Sequence, residues 1–316
     1  MSTFLNLWLQ KLPFLAPLFQ AATWLGNEEF FLLLLPLVYL CIDRKSGLRL
    51  GALILSCDAL CGILKIASAL PRPYWVDARV HAWAQDASFG FPSSHAQVGT
   101  AVWLFIAQRA GKSWMWIVAI VLIALISLSR VFLGVHYLFD VAGGALIGLA
   151  FWVAFLQVEP KITTWFARQN LATQISFSAV VALVMLLLFG LIRVLFAADT
   201  TVSYAKYLGE ARSWDAIVAR AGAIFGLGCG AALAFRWARF QTAGSIAQKA
   251  ARFVVALVGV VVCYIGLKTL FPSQPESAAL VFRFVRYALL TLWITFGAPL
   301  VLLKFNLLPR ATNKNV

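Results

Sequence analysis

Long apolar runs, separated by short polar segments, recur along the whole chain. A helix needs roughly 17–25 mostly apolar residues to cross the hydrocarbon core of a bilayer. Nine runs reach or approach that length, so the pattern predicts an all-α, polytopic membrane helical bundle of nine transmembrane helices. The predicted spans are 27–43, 48–67, 94–109, 114–134, 137–158, 175–197, 216–235, 252–271 and 279–303.

The segment before the first span has a different pattern. Between Phe4 and Leu25, Pro13 and Pro17 interrupt a stretch rich in Leu, Phe and Trp. Two prolines are unfavourable in a continuous span, whereas an apolar helix broken in this way can lie along the membrane surface. Residues 1–26 are therefore predicted to form an interfacial N-terminal helix.

Composition supports a membrane protein and excludes an ordinary soluble domain. The chain is 62% hydrophobic and only 12% charged, and its mean hydropathy is +0.87. Soluble domains are typically about 25% charged. The first residues lack a basic stretch and a small-residue cleavage site, so no cleaved signal peptide is expected.

The distribution of charge predicts the orientation. If residue 27 lies outside, the inner segments hold fourteen of the 26 Lys and Arg residues and only two acids, Asp43 and Glu159. Basic residues concentrate in short cytoplasmic loops, so this orientation is favoured over its reverse. The net charge of +14 therefore reflects topology, and because no nucleic-acid-binding module lies between the basic loops, no nucleic-acid partner is expected. The inner segments are 43–49, 109–113, 159–174, 236–252 and the tail after 303.

Three polar motifs interrupt the apolar pattern at the predicted outer ends of the helices. They are Lys65 to Pro73, Pro92 to His95, and Ser129 to Asp140. Ionisable residues next to hydrocarbon are costly and are a functional hypothesis by default. Since helix ends on one side of a bundle can converge, we expect one site on the outer face.

The two histidines of these motifs suggest different roles. His136 and Asp140 are four residues apart, so they share one face of a helix. A carboxylate that holds one imidazole nitrogen leaves the other free as a nucleophile. Cleavage of a phosphate ester also needs a proton for the departing oxygen, which His95 can give.

The remaining motif residues suit a phosphate group. Lys65, Arg72 and Arg130 supply positive charge, and the arginines can form forked contacts with phosphate oxygens. Ser93 is predicted to cap a helix, with the N–H of Ser94 free to bind phosphate. Fixed positive charge of this kind replaces a metal ion, so neither a metal nor another cofactor is expected.

The motifs resemble those of the type 2 phosphatidic acid phosphatase (PAP2) superfamily. Lysine, six residues, then Arg-Pro matches at Lys65, and Ser-Arg, five residues, His, three residues, Asp matches at Ser129, while Ser94 stands where the second motif has glycine. If that position needs a positive φ, serine would be strained. The resemblance implies that His136 forms a phosphohistidine and that His95 protonates the leaving group. It further implies that Asp140 orients His136 and that Lys65, Arg72, Ser93, Ser94 and Arg130 bind phosphate.

The resemblance covers residues 27–197, predicted as a six-helix catalytic core. Residues 198–316 are predicted to add transmembrane helices of unknown role. In this part Arg283 and Arg286 could reach a lipid headgroup, although arginines snorkelling to the interface are the simpler interpretation. Gly222, Gly226 and Gly230, spaced by four, predict close packing against another helix, either within the chain or in a homo-oligomer.

Asp58 and the five cysteines are two further features of the predicted spans. Asp58 lies two turns below Lys65 and could support the basic cluster, or could be buried in its neutral form. The five cysteines form no C-x-x-C pair and are predicted to be buried thiols that bind no metal.

The sequence therefore predicts a metal-independent lipid phosphatase in the bilayer, acting on a lipid phosphate monoester or diphosphate at the outer, periplasmic face. A bacterial inner membrane is favoured over the endoplasmic reticulum. A phosphotransferase with the same histidine, a lipid transporter or scramblase with a vestigial phosphate site and, less readily, a haloperoxidase remain alternatives. The identity of the lipid stays open.

Overall fold

A computed structural model describes residues 2–197, 199–272 and 274–311. This part of the chain is helical and contains no β-strand, apart from one isolated bridge between Phe240 and Arg310. The all-α prediction is therefore confirmed. The helices are α1 (Phe4–Leu9), α2 (Ala16–Trp24), α3 (Glu28–Leu37), α4 (Arg44–Ser68), α5 (Pro73–Val76), α6 (Ser94–Ala110), α7 (Ser113–Phe132), α8 (Leu138–Ala167), α9 (Leu171–Leu195), α10 (Leu208–Ala211), α11 (Asp215–Trp237), α12 (Ile246–Val261), α13 (Leu267–Leu270), α14 (Glu276–Leu292) and α15 (Ala298–Lys304).

Helices lie at all nine predicted spans, but a count of nine crossings is not confirmed. Among the described residues, seven helical stretches are long and apolar enough to cross a bilayer. An eighth is reached if Pro13–Trp24 and Glu28–Ile42, bent by 48°, together form one span. The difference from nine arises partly at α6, which has only 17 residues.

The chain divides into two compact units that do not follow the boundaries predicted at residues 26 and 197. The first comprises Met1–Phe31, Ser56–Leu156 and Leu187–Ser213. The second comprises Leu32–Leu55, Gln157–Leu186 and Trp214–Val316. All three polar motifs belong to the first unit.

The N-terminal helices contribute to the core of the first unit. Leu9, Ala16 and Phe19 are buried in one cluster with Phe132 near the end of α7. The rings of Phe19 and Phe132 lie 4.8 Å apart. The segment predicted as an interfacial helix is therefore packed against the helix that carries Arg130.

The second unit contains the close helix packing predicted from its glycines. A Cβ atom at Gly222 or Gly226 would overlap the backbone of Phe284 or Ala288 on α14, and one at Gly230 would overlap Thr295. Glycine thus lets α11 and α14 approach at backbone distance. The intramolecular interpretation of this stripe is confirmed.

A short connection determines how α7 is followed by α8 in the first unit. Gly134 has a φ of +76°, and a Cβ there would also meet the backbone oxygen of His81. Glycine adopts this left-handed conformation without a steric penalty. The tight turn places Arg130, in the last turn of α7, close in sequence and space to His136, just before α8.

Candidate active site

The three motifs meet at the ends of α4, α6, α7 and α8. Hydrogen bonds join them directly: the Ser93 amide donates to the Asp140 carbonyl at 3.1 Å, and Arg72 Nη1 donates to the Val135 carbonyl at 2.9 Å. A Cβ at Gly144 would meet the carbonyl of Ser93, so α8 packs closely against the start of α6. The predicted convergence of the motifs is thus present.

His136 and Asp140 form the predicted pair at the start of α8. Both side chains are fully buried, and Nδ1 of His136 lies 3.3 Å from Oδ2 of Asp140. The amide of Tyr137 donates to the same carboxylate oxygen at 2.9 Å, which holds the carboxylate in place. Since an ionised carboxylate only accepts hydrogen bonds, we assign the imidazole proton to Nδ1. Nε2 then carries the free electron pair.

Arg72 is the most extensively bonded side chain of the site. It is fully buried and donates to the carbonyls of Ser88, Val135 and Phe89 at 2.6, 2.9 and 3.2 Å. Its Nη1 also lies 3.1 Å from Nε2 of His136. The backbone of Arg72 is extended, as expected for a residue that precedes proline. The guanidinium is therefore fixed beside the nitrogen that the sequence analysis predicts to be the nucleophile.

Lys65 and Arg130 bring two more buried cations. Each is 4% exposed. Lys65 Nζ donates to the carbonyl of Phe89 at 2.5 Å, and Arg130 Nη1 donates to the hydroxyl of Thr23 at 2.7 Å. Buried cations are costly unless anions or other acceptors surround them. A site with Lys65, Arg72 and Arg130 together is suited to a multiply charged anion.

Asp86 was missed by the sequence analysis and lies between the two arginines. Its Oδ2 is 3.2 Å from Nη2 of Arg72 and 3.1 Å from Nη2 of Arg130. Burial raises the pKa of this carboxyl, but the charges of Arg72, Arg130 and Lys65 outweigh it and hold the pKa below its usual range. Asp86 is therefore ionised. The one indication in the sequence was that acidic residues are scarce: the chain has only 12 Asp and Glu, so each acid near the motifs was a candidate partner for their basic residues.

The second motif forms the helix start that was predicted. α6 begins at Ser94, and Ser93 caps it by accepting a hydrogen bond from the Ala96 amide at 3.5 Å. Ser94 is not among the described residues with positive φ. The strain considered for serine at this position is therefore absent.

His95 has a partner that no motif contains. Its Nε2 lies 2.8 Å from Oδ1 of Asn27, between α2 and α3. Its Nδ1 is buried and has no hydrogen-bond partner among the residues described. Asn27 and Thr23 both belong to the N-terminal segment, and nothing in their own sequence context marked them as site residues.

The electrostatic environment keeps His136 neutral. Burial lowers its pKa well below the usual value of 6.5, and the positive charges of Arg72 and Lys65 lower it further. A charged imidazolium would have to form next to an arginine and without water. Nε2 therefore carries no proton at neutral pH and faces the guanidinium of Arg72.

Asp86 is one of the residues that line a cleft of about 340 Å³. Tyr74, Gln85, Tyr207 and Glu210 are among the residues that line it. All of them belong to the first unit. The cleft thus brings a polar opening to the carboxylate that bridges the two arginines.

The three accessory candidates have different surroundings. Arg283 forms an ion pair with Asp215 at 3.1 Å, and Arg286 lies over the ring of Tyr287, all in the second unit. The contact of either arginine with a lipid headgroup stays a prediction. Asp58 lies within α4 on the same helix as Lys65, and its supporting role stays a prediction.

Comparison with protein families gives two matches. The model of the PAP2 superfamily matches residues 46–164, and that of the PAP2 superfamily phosphatase transmembrane extension matches residues 218–312. The first match contains all three motifs. The second falls within the C-terminal helices, whose class the sequence analysis had left open.

Similar proteins are lipid phosphatases by name. An undecaprenyl-diphosphatase of Sulfolobus acidocaldarius is 32% identical over 38% of this chain and 57% of its own length. The human sphingosine-1-phosphate phosphatase 2 is 29% identical over 41% of this chain and 34% of its own length. The phosphatidylglycerophosphatase B of Bacillus subtilis is 34% identical over 24% of this chain and 42% of its own length. The chain thus spans between about a third and 57% of the length of these relatives.

A solved structure also matches. The crystal structure of a transmembrane PAP2 type phosphatidylglycerolphosphate phosphatase from Bacillus subtilis is 28% identical, with a TM-score of 0.41, over 50% of this chain and 85% of that one. The three motifs agree with the two family models, which match residues 46–164 and 218–312. The chain belongs to the PAP2 superfamily.

Proposed function

We propose that the protein is a metal-independent lipid phosphatase that hydrolyses a phosphate monoester or diphosphate through a phosphohistidine on His136. The observation that carries the proposal is the position of Nε2 of His136. It is unprotonated, because Asp140 holds Nδ1, and it lies 3.1 Å from Nη1 of Arg72, where that arginine can also bind the phosphate under attack.

Unsatisfied polar groups support a phosphate ligand. Nε of Arg130 and Nδ1 of His95 are buried without a hydrogen-bond partner among the described residues. Such groups are rare in folded proteins and usually have a functional reason. The oxygens of a phosphate ester would supply an acceptor for Arg130 and, for a protonated His95, an acceptor at the departing oxygen.

In the first step Nε2 of His136 attacks phosphorus, and a P–N bond forms. The bond from phosphorus to the leaving oxygen breaks, and a proton from His95 passes to that oxygen, so that an alcohol leaves from a monoester and a lipid monophosphate leaves from a diphosphate. Lys65, Arg72 and Arg130 stabilise the negative charge that spreads over the other phosphate oxygens. Asp140 stabilises the positive charge that develops on the His136 ring.

In the second step water attacks the phosphohistidine. His95, now neutral, takes a proton from the water, a P–O bond forms and the P–N bond breaks. Inorganic phosphate leaves, and both histidines return to their starting states. Fixed side-chain cations perform the charge stabilisation throughout.

The lipid substrate and the outer face are part of the proposal. The relatives named above act on different lipid phosphates by name, and these share a terminal phosphate on an apolar anchor. In the sequence the motifs fall at the ends of the predicted spans that are opposite the basic inner loops, which favours the periplasmic face of a bacterial inner membrane.

The direct test is phosphate release by the purified protein in detergent with EDTA present. Phosphatidic acid, phosphatidylglycerophosphate, sphingosine-1-phosphate and undecaprenyl diphosphate form the substrate panel, with glycerol added in parallel reactions. We expect inorganic phosphate from at least one lipid. No release from any of them would contradict a phosphatase, and transfer to glycerol in place of release would identify a phosphotransferase. In sealed right-side-out membrane vesicles, whose outer surface is the periplasmic face, a water-soluble short-chain substrate added outside should also be hydrolysed.

We expect the acid limb of the pH profile to lie well below pH 6.5. His136 is active when neutral, so activity is present above its pKa and falls as pH drops through that value. Because burial and the charges of Arg72 and Lys65 lower the pKa, this fall is shifted towards acid. The measurement is kcat/KM as a function of pH. A midpoint at or above 6.5 for the His136 ionisation would contradict the assigned environment.

Replacing Asp86 with asparagine is expected to strengthen inhibition by inorganic phosphate. The carboxylate occupies Arg72 and Arg130, so an incoming phosphate must compete with it and is also repelled by its charge. We expect the inhibition constant to fall about tenfold, equivalent to about 1.4 kcal/mol.

Asp77→Asn is the matched control, because Asp77 pairs with the exposed Arg79 and not with a site residue. An unchanged inhibition constant in Asp86→Asn would show that phosphate binds without displacing the carboxylate.

A further inference from the structure

The N-terminal segment provides groups to the site although it lies outside both family matches, which begin at residues 46 and 218. Asn6 donates from its side-chain amide to the carbonyls of Val131 and His136 at 2.8 and 3.0 Å. Thr23 accepts from Arg130 at 2.7 Å. Together with the contact between Asn27 and His95, these bonds join the segment to α6, to α7 and to the turn before α8.

Asn27 makes the contact with the clearest chemical consequence. Its Oδ1 lies 2.8 Å from Nε2 of His95. An amide oxygen only accepts hydrogen bonds, so the imidazole nitrogen that faces it carries a proton. In the neutral ring, Nδ1 is then the unprotonated nitrogen.

The close approach of the two segments depends on Gly26. A Cβ atom at this position would lie 2.8 Å from Cδ2 of His95 and 3.3 Å from its Cβ. Any larger residue would push the turn between α2 and α3 away from the ring. The turn is therefore shaped to hold Asn27 against one edge of His95.

The opposite nitrogen of His95 is the one left for chemistry. Nδ1 is buried and has no partner among the described residues. When the ring is protonated, Nε2 remains bonded to Asn27 and only Nδ1 has a proton to give. After that proton has left, the ring is already in the tautomer that Asn27 favours.

We propose that Asn27 is a positioning residue that makes Nδ1 of His95 the proton-transferring nitrogen. The inference rests on the proposed phosphatase function. In the first step the Nδ1 proton passes to the departing lipid oxygen as its bond to phosphorus breaks, and in the second step Nδ1 takes a proton from the attacking water. Nε2–H stays with Asn27 through both steps.

The test compares a substrate that needs an acid with one that does not. Sphingosine-1-phosphate has an alkoxide leaving group, which must be protonated, whereas p-nitrophenyl phosphate releases a stable phenolate. In Asn27→Ala we expect kcat/KM for sphingosine-1-phosphate to fall at least tenfold more than kcat/KM for p-nitrophenyl phosphate. A substitution that merely disturbs the fold would reduce both rates alike.

Two variants complete this test. Asn27→Asp keeps an acceptor at the same position and has no N–H to offer, so it should restore most of the preference that Asn27→Ala loses. Gln20→Ala, an exposed position on the neighbouring helix α2, should leave both rates unchanged. Equal losses on both substrates in Asn27→Ala, or no loss on either, would overturn the proposal.

A spectroscopic measurement separates the positioning role from the activity. The chain has only three histidines, so ¹⁵N-histidine labelling with His95→Gln as the assignment variant identifies the His95 signals. Above the pKa of this ring we expect a protonated Nε2 and a bare Nδ1 in the wild type, and a mixture of tautomers in Asn27→Ala. A bare Nε2 in the wild type would refute the inference even if the phosphatase reaction were demonstrated. The expected tautomer without any phosphatase activity would instead contradict the proposed function alone.

Discussion

Replacing His136 with alanine is expected to lower kcat/KM by at least about 10³-fold, because removing a nucleophile eliminates the covalent route altogether. In the proposed mechanism His95 is the proton donor, and Asp140 acts on His136 through the 3.3 Å contact to Nδ1.

A second readout distinguishes loss of the nucleophile from loss of the fold. With ³²P-labelled substrate and a rapid alkaline quench, the wild type should retain label on protein as a base-stable phosphohistidine. His136→Ala should retain none. The His136 ring is buried, so insertion and folding are checked by thermal unfolding of the detergent-solubilised variant.

His81→Ala is the matched control, because it removes an exposed histidine from the loop between the first two motifs. It should label and turn over like the wild type. Wild-type turnover or normal labelling in His136→Ala would refute the proposed mechanism.

Replacing Arg72 with lysine should lower kcat by about 10²–10³-fold, the usual cost of removing a preorganised donor from a developing negative charge. Lysine keeps the charge but has neither the planar fork nor enough donors for the existing partners. Arg72 now contacts three backbone carbonyls and Nε2 of His136 at the same time. An ammonium group cannot maintain that geometry, so both the phosphate and the nucleophile lose their alignment.

The matched control is Arg79→Lys, a nearby exposed arginine that pairs only locally with Asp77. It should leave kcat unchanged. Arg72→Lys should also lower the unfolding temperature modestly, since buried carbonyls lose donors. A kcat within the range of the control variant would show that charge alone suffices at this position.

The positions of the proposed catalytic residues relative to their helices were predictable from sequence because their spacing is local. Lys65 and Arg72 lie on either side of one helix end, and His136 and Asp140 are one helical turn apart. Since these offsets are set by the geometry of a helix, the sequence analysis could place each of them relative to its own element. The structure then brings the elements together as expected.

The partners contributed by distant segments could not be predicted in this way. Asp86 lies in an irregular loop. There, no regular helical periodicity constrains the direction in which a side chain points. Asn27 and Thr23 precede the motifs by tens of residues, and their contacts depend on how α2 and the turn after it pack against α7 and α6. Local sequence contains no information on that packing.

The span count shows a related limit. Apolar runs indicate where helices form, and helices occur at all nine predicted positions. Whether a helix crosses depends on its length and on its angle to its neighbours. α6 has only 17 residues, and the helices of the first apolar segments are bent by 48° relative to each other. Within the described ranges, seven or eight helical segments are therefore long and apolar enough to cross a bilayer.

By itself, the sequence determined the class of protein, its family and the roles open to its two motif histidines. The length of an apolar run indicates whether a helix can cross the membrane. The spacing of polar residues indicates which side chains lie at the same helix end. Only the tertiary structure decided that Asp86 bridges the arginines and that Asn27 contacts Nε2 of His95. The physical reason is that burial and hydrogen bonding between remote segments arise from packing, which local spacing does not encode.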